Sequence, residues 1–372
     1  MRIALVHYTC GPVVGGVERV VAGHARLFER HGHAVTLICQ RGGEGENVLR
    51  IPGGGTAPGW LREVCAGQDV VVVHNVMTMP FDPALTLALA ALPERLPGVR
   101  FLAWTHDLAL CNADLAPVPA EIARCFAGFE YIAVSALRRR QLHEALGIGA
   151  RVVPDGFDPG EVLGLPDAVA RMAEEAALFD GRLVLLHPAR ILRRKNIECG
   201  IRVVAAMNAA GHRATLIVTG AEDSHNPASR QYAAELAVLR AAPGAGAAVL
   251  FAAERFPVGA SEIAGLYRVA DALFFPSRSE GFGLPVIEAA VHGLPVFCSD
   301  IEPLRSLAAR GATFFPPDAP PGEIAKSISD FAAADERILA RKEAMRASAW
   351  ETVYTEHLAP LLAGTSNPAA KP

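Results

Sequence analysis

Nowhere in its 372 residues does the chain carry an Asp-x-Asp pair, a Cys-x-x-Cys pair or a Gly-x-Gly-x-x-Gly run. The first absence removes the usual carboxylate clamp for a divalent metal on a diphosphate; the nearest approach is Asp300-Ile301-Glu302. The second, with seven scattered cysteines, excludes a zinc site or disulfide framework and fits reduced thiols. Cys39 and Cys298 lie in apolar runs and read as small core residues. The third disfavours a nicotinamide dehydrogenase. No stretch reaches the roughly eighteen apolar residues of a membrane span. Arg2 to His7 reads as a strand that begins too early for a signal peptide. A net charge of −4 excludes a nucleic-acid partner held by bulk electrostatics. Short repeats and low-complexity tracts are missing as well.

Half of the residues, 51%, are hydrophobic and 20% are charged, enough apolar material for two cores at this length. Strand-like runs alternate with helical patterns throughout, which predicts parallel sheets in α/β layers. Strands are expected at 2–7, 34–39, 70–74, 100–104, 130–134 and 151–153, then at 183–187, 214–219, 248–252, 271–275 and 295–298. Helices are expected at 16–30, 84–92, 120–126, 136–146 and 167–178. The second half adds 196–210, 230–240, 261–269, 285–292, 322–333 and a closing helix at 338–362. Trp350, Tyr354 and Leu358 stripe that last helix at i, i+4, i+8 and require a surface to pack on. Residues 364–372 read as a frayed end. The series restarts near Leu183, so the economical reading is two Rossmann-like domains.

The most informative stretch runs from Pro276 to Glu288. A buried-strand pattern, Asp271 to Phe275, leads into Gly281-Phe282-Gly283-Leu284, and Pro285 then suits a first helical turn. Backbone N–H groups at such a turn, with the positive end of the helix, suit an anion. Glu280 and Glu288 flank it. Carboxylates repel phosphate but accept from hydroxyls on a sugar or ribose attached to that phosphate. A second constellation is His187-Pro188-Ala189-Arg190-Ile191-Leu192-Arg193-Arg194-Lys195-Asn196, cationic charge directly after a strand, where open α/β sheets hold ligands. Arg193 and Arg194 read as its solvated members. Gly15-Gly16 before the first long helix permits close backbone approach. His106 ends a strand and is followed by Asp107; His74-Asn75 ends another and is a weaker candidate for binding an acceptor.

The spacing of Glu280 and Glu288, with Leu266 to Asp271 before it and Gly293 to Asp300 after it, resembles the paired-glutamate signature of retaining glycosyltransferase family 4. The resemblance implies a GT-B fold: two Rossmann-like domains facing across a cleft, with the C-terminal helix crossing back to the first. It places an acceptor domain at 1–165, a nucleotide-sugar donor domain at 166–345, and the returning helix at 346–372. It implies transfer of a hexose, glucose or mannose, with retention and without metal or cofactor, from a nucleoside diphosphate sugar to a hydroxyl acceptor such as a glycolipid, polysaccharide or small glycoside. The catalytic set carried over is His106, Arg190, Lys195 and Glu280. Donor contacts fall to Gly15, Gly16, Gly220, Gly281, Phe282, Gly283, Leu284 and Glu288. Ala189 stands where the family has glycine. Asp155, in Val152-Val153-Pro154-Asp155-Gly156-Phe157-Asp158, stands where it has asparagine. Gly220-Ala221-Glu222-Asp223 resembles a nucleotide-side loop, and Ser224-His225-Asn226-Pro227 beside it has no assigned role. Arg138-Arg139-Arg140 reads as a solvated helix face or as a weak contact with anionic lipid at the inner face of the membrane of a cytoplasmic protein. The rival readings are a nucleotide-sugar 2-epimerase of related fold and a non-catalytic sugar-nucleotide-binding protein. No protein partner can be inferred.

Overall fold

The structure, a computed structural model, describes residues 1–13, 15–53, 57–114, 122, 126–220, 227–242, 245–246, 248–308 and 311–364. The chain forms two compact units, Met1–Asp158 with Ser348–Pro372, and Pro159–Ala347. The expected helix at 120–126 and the 221–226 part of the expected nucleotide-side loop lie outside the described residues, the former apart from Ile122 and Phe126.

The first unit is built on β1 (Arg2–Val6), β2 (Ala34–Cys39), β3 (Val48–Arg50), β4 (Val70–His74), β5 (Arg100–Thr105), β6 (Phe129–Ala133) and β7 (Ala150–Val152). They form one sheet in the order β3-β2-β1-β4-β5-β6-β7, every pairing parallel. The uninterrupted valines of β4 are buried on both faces, as a central parallel strand covered by helices requires. Strand β3 was not expected from the sequence. It is a three-residue edge strand, half-exposed, and too short to show a pattern. The helix Ala57–Ala66 was also missed, because Pro58 and Gly59 in its first turn mimic a loop.

The second unit contains β8 (Leu183–His187), β9 (Ala214–Val218), β10 (Val249–Phe251), β11 (Ala272–Phe275), β12 (Val296–Ser299) and β13 (Ala312–Phe315). Its sheet is again parallel, in the order β10-β9-β8-β11-β12-β13. Alternate residues feed opposite faces: Leu185 joins one core layer, Val184 and Leu186 the other. Strand β13, at the edge and only partly buried, was the second strand missed. From β8 the chain winds outward to β9 and β10, then returns to the other side of β8 as β11. The loops after β8 and β11 therefore diverge, and a crevice opens at the carboxyl ends of these neighbours.

The closing helix is not continuous, against expectation. Glu336–Ser348 is helical, Ala349 is extended (φ −65°, ψ 141°), and helix resumes at Trp350. The break is set by a tertiary partner: Phe157 N–H donates to Ser348 O, and Trp350 N–H donates to Phe157 O. Beyond it, Trp350, Val353, Leu358, Leu361 and Leu362 enter the core of the first unit, with Tyr354 packed against them. The Trp350 ring lies where side chains at Gly23 and Gly156 would otherwise stand.

Three histidines are completely buried, His24 and His74 in the first unit and His187 in the second; burial lowers His24 and His187 to a pKa of about 3 and holds His74 well below its ordinary value. Unfolding exposes them to an ordinary value near 6.5, so the unfolded chain binds more protons between the two values. The melting temperature should be level above pH 6.5 and fall progressively as pH drops from there through about 3. Replacing His187 with leucine should flatten that slope, and an unaltered slope in the variant would remove His187 as a cause.

Candidate functional site

The loop after β8 carries the cations. Arg190 is exposed beside Ala189, whose carbonyl accepts from Gly220 N–H at 2.9 Å. A Cβ on Gly220 would come within 2.5 Å of Arg190 Cα, so glycine there lets the loop after β9 seat the loop after β8. A single 3-10 turn, Arg193–Lys195, then ends at Asn196 in the left-handed region (φ 55°), a conformation asparagine tolerates. Asn196 stitches this loop to the one after β11: its Nδ2 donates to Pro276 O, and its Oδ1 accepts from Arg278. Arg278 N–H also donates to Arg194 O at 2.7 Å.

These bonds bring Lys195 Nζ to 2.5 Å from Glu280 Oε1, with only 12% and 8% of the two side chains exposed. Arg194 completes the cluster, donating to Ser279 O and lying 3.4 Å from Glu280 Oε2. Arg194 is exposed, as expected of a solvated residue, and reaches Glu280 from the solvent side. Arg193 is the outward member, over the Tyr232 ring and paired with Glu235.

Two helices start at this crevice, and they differ. The N-terminus of Ile197–Ala209 is occupied: the Tyr232 hydroxyl accepts from Ile197 N–H at 2.9 Å and donates to Glu198. The N-terminus of Leu284–Val291 has no side-chain cap, and Pro285 is in its first turn. Its first N–H groups are thus free of side-chain acceptors, as an anion site demands. Gly283 precedes it at φ 104°, where a Cβ would fall 2.6 Å from Leu304; Gly281 has nothing within 4 Å. Gly283→Ala should therefore cost about 1–3 kcal/mol of stability. Gly281→Ala should change stability by less than about 0.5 kcal/mol while weakening any anion held at this turn. Denaturant midpoints and ligand titrations of the pair measure both effects.

One turn into that helix, the exposed carboxylate of Glu288 accepts from the Tyr267 hydroxyl at 2.7 Å. Tyr267 is buried and stacked on His292, ring centroids 5.1 Å apart. Burial first, and Glu288 second, push its phenol far above the ordinary value, so it remains a donor. Phe282 and Leu284 are exposed around the same turn. Next to Gly220 a hollow of about 570 Å³ opens between Ile191, Arg230, Phe251 and Glu254.

In the first unit the switch between strand directions lies at β1 and β4. Gly15, extended at φ −159°, caps the helix Gly16–Arg30 without a side-chain bond. A Cβ on Gly15 would strike the Glu18 carboxylate, whereas Gly16 faces open space. Glu18 accepts from Thr9, and its Oε1 lies 3.8 Å from His7 Nε2. His106, after β5, is held on all sides. Asn75 Oδ1 accepts from the N–H groups of His106 and Asp107 at 2.8 and 3.1 Å. Arg138 donates to His106 O and pairs with Asp107. The imidazole Nδ1 is 3.2 Å from Asp155 Oδ2, and Nε2 is 3.1 Å from His74 Nδ1. His74 and Asn75 are both buried, which corrects their reading as groups open to an acceptor. Arg138 is likewise a strand-end clamp, not a solvated or lipid-facing side chain.

Residues 170–347 match the family model of "Glycosyl transferases group 1". Mannosylglucosylglycerate synthase from Thermotoga maritima is 23% identical over 363 residues, 82% of this chain and 82% of that protein. D-inositol 3-phosphate glycosyltransferase from Geodermatophilus obscurus is 30% identical over 302 residues, 78% of this chain and 58% of that protein. Residues 170–347 belong to the group 1 glycosyltransferases. Among solved structures, Anabaena Alr3699/HepE in complex with UDP is 17% identical, covering 98% of this chain and all of that one, with a TM-score of 0.40.

Tyr267 holds Glu288 from another helix, Arg194 contacts Glu280 from another loop, and Asn196 joins the two loops through Pro276 and Arg278. Tyr267 had a sequence signal, an aromatic in the run before Asp271; Asn196 and Arg194 had none apart from their position beside Lys195. Within the matched segment, Arg190, Lys195, Gly220, Glu280 and Gly281–Leu284 all follow β8, β9 or β11 at the carboxyl end of the second unit's sheet. Gly15, Gly16 and His106 belong to the first.

Proposed function

We propose that the chain transfers a hexose from a nucleoside diphosphate sugar to a hydroxyl acceptor, with retention and without a metal ion. The observation that carries this reading is the convergence of Lys195 and Glu280 beside the open helix N-terminus at Gly281–Leu284. A diphosphate seated there meets backbone N–H groups, Lys195 and Arg190, fixed positive charge that stabilises a departing phosphate without reorganisation. Tyr232 closes the neighbouring helix to the same ligand. Glu288 accepts from ribose hydroxyls, and Glu280 steadies Lys195 and meets hydroxyls of the donor sugar. The hollow beside Gly220, with Ile191 and Phe251 as apolar walls, suits the base. The glycines at 15 and 16 open the first unit to substrate.

Retention is supported by the state of Glu280. A carboxylate already committed to Lys195 and Arg194 is a poor nucleophile, which favours attack on the face of the leaving phosphate. Two named relatives, a synthase of mannosylglucosylglycerate and an inositol-phosphate glycosyltransferase, support small polyol or hydroxy-acid glycosides as acceptors and glucose or mannose as the sugar. No helix among the described residues is long and apolar enough to cross a membrane.

Thermal-shift measurements against UDP- and GDP-linked glucose and mannose, with and without EDTA, test the reading. A donor at about 100 times its Kd should stabilise by roughly 2.7 kcal/mol, and EDTA should change neither the shift nor turnover. Loss of turnover in EDTA would rule out the metal-free reading, and the absence of a shift with every donor would rule out the donor site.

A further inference from the structure

Beyond His106, the glycosyl-transfer reading leaves the histidine cluster of the first unit unused. His106 lies between Asp155 and His74, hydrogen-bonded to each through a different ring nitrogen. A carboxylate accepts and never donates. The hydrogen of a neutral His106 is therefore on Nδ1, and its Nε2 is an acceptor. His74 must then carry its own hydrogen on Nδ1, which leaves His74 Nε2 bare. That atom is buried and has no partner. The reverse polarity would bury an N–H there without an acceptor, the rarer and costlier defect. Behind it stands His24, ring centroids 5.3 Å away, with neither nitrogen partnered. Burial keeps both inner rings neutral, so no positive charge competes with this arrangement from within.

We propose that Asp155 is a positioning residue: acting on Nδ1, it holds His106 in one tautomer and one ring orientation, with His74 closing the other nitrogen. Position 155 is where the resembled signature has asparagine. An amide offers both an acceptor and a donor, so a flip satisfies either tautomer of the histidine. Aspartate satisfies one. The dependence is mutual, because the second carboxylate oxygen, Oδ1, is buried without a partner and His106 is the group that fixes the acid. The backbone of His106 is already pinned by Asn75 and Arg138. The ring is the remaining degree of freedom, and Asp155 removes it.

The kinetic arm of the test rests on the glycosyl-transfer reading; the spectroscopic arm does not. Long-range ¹H–¹⁵N correlation of the histidine-labelled full chain, with His106 assigned by its loss in His106→Gln, should show the Nδ1–H tautomer. In Asp155→Asn the same ring should report a mixture of tautomers. The donor KM should stay within about twofold and kcat fall about tenfold, with a loss of about a hundredfold in Asp155→Ala, as expected for misplacement of a site group. An Nε2–H tautomer in the unmodified protein overturns the proposal, as does a shifted spectrum with unchanged kcat. If Asp155→Ala fails to fold, Asp155→Asn carries both arms. If no donor is turned over by the unmodified protein, the functional reading fails while the tautomer result still decides the hydrogen-bond assignment.

Discussion

Lys195→Ala should lower kcat by about 10²–10³-fold, the loss found when one preorganised group facing a developing negative charge is removed. Donor affinity should fall by less than about tenfold, because the backbone N–H groups at Gly281–Leu284 and Arg190 continue to hold the ground-state diphosphate. The variant has a second signature. Glu280 is 8% exposed and would retain Arg194 alone, at 3.4 Å. Removing one partner of a buried pair leaves its charge poorly compensated, so the melting temperature should drop as well. The double variant Lys195→Met with Glu280→Gln should recover stability without recovering turnover. If Lys195→Ala left kcat within threefold of the unmodified enzyme, the leaving-group assignment would be wrong. Steady-state rates and melts on one set of samples separate the two effects.

Glu288→Ala should abolish the thermal shift produced by nucleotide-sugar donors. Each hydrogen bond between a carboxylate and a buried hydroxyl contributes about 1.5–3 kcal/mol, so losing a bidentate contact to a ribose weakens binding by at least about a hundredfold. The protein itself should be little affected, because Glu288 is exposed and its partner Tyr267 keeps its stacking on His292. Tyr267→Phe offers a graded control: the carboxylate stays but loses the 2.7 Å bond that orients it. Its donor affinity should lie between those of Glu288→Ala and the unmodified chain. A full donor shift in Glu288→Ala would place the ribose elsewhere.

The two variants differ in how far sequence reading could foresee them. Glu280, Gly281, Gly283 and Glu288 are within one strand–turn–helix unit, so local patterning located the open helix end and its flanking carboxylates. The ion pair of Lys195 with Glu280 joins residues 85 positions apart. Nothing in either segment announces it; it follows from β8 and β11 being neighbours. Arg194 shows the same limit, since a basic run looks alike whether it meets water or a carboxylate. His106 shows it most sharply. Position at a strand end identified the residue, but only the packed structure turned its ring inward between Asp155 and His74. The strands β3 and β13 escaped because edge strands bury too little to leave a periodic trace, and the break at Ala349 because its cause is Phe157.

By itself the sequence determined the alternation of strands and helices, the place where the series restarts, and which strand ends carry cations, carboxylates and glycines. Those features follow from local periodicity, turn chemistry and the demand that apolar faces be buried. The tertiary structure alone decided which strands are neighbours, and hence which distant loops share an edge. It also decided which helix end is plugged by Tyr232 and which stays open, and whether a titratable ring looks outward or in. Those outcomes depend on partners supplied from elsewhere in the chain, and a residue's own neighbours in sequence do not specify them.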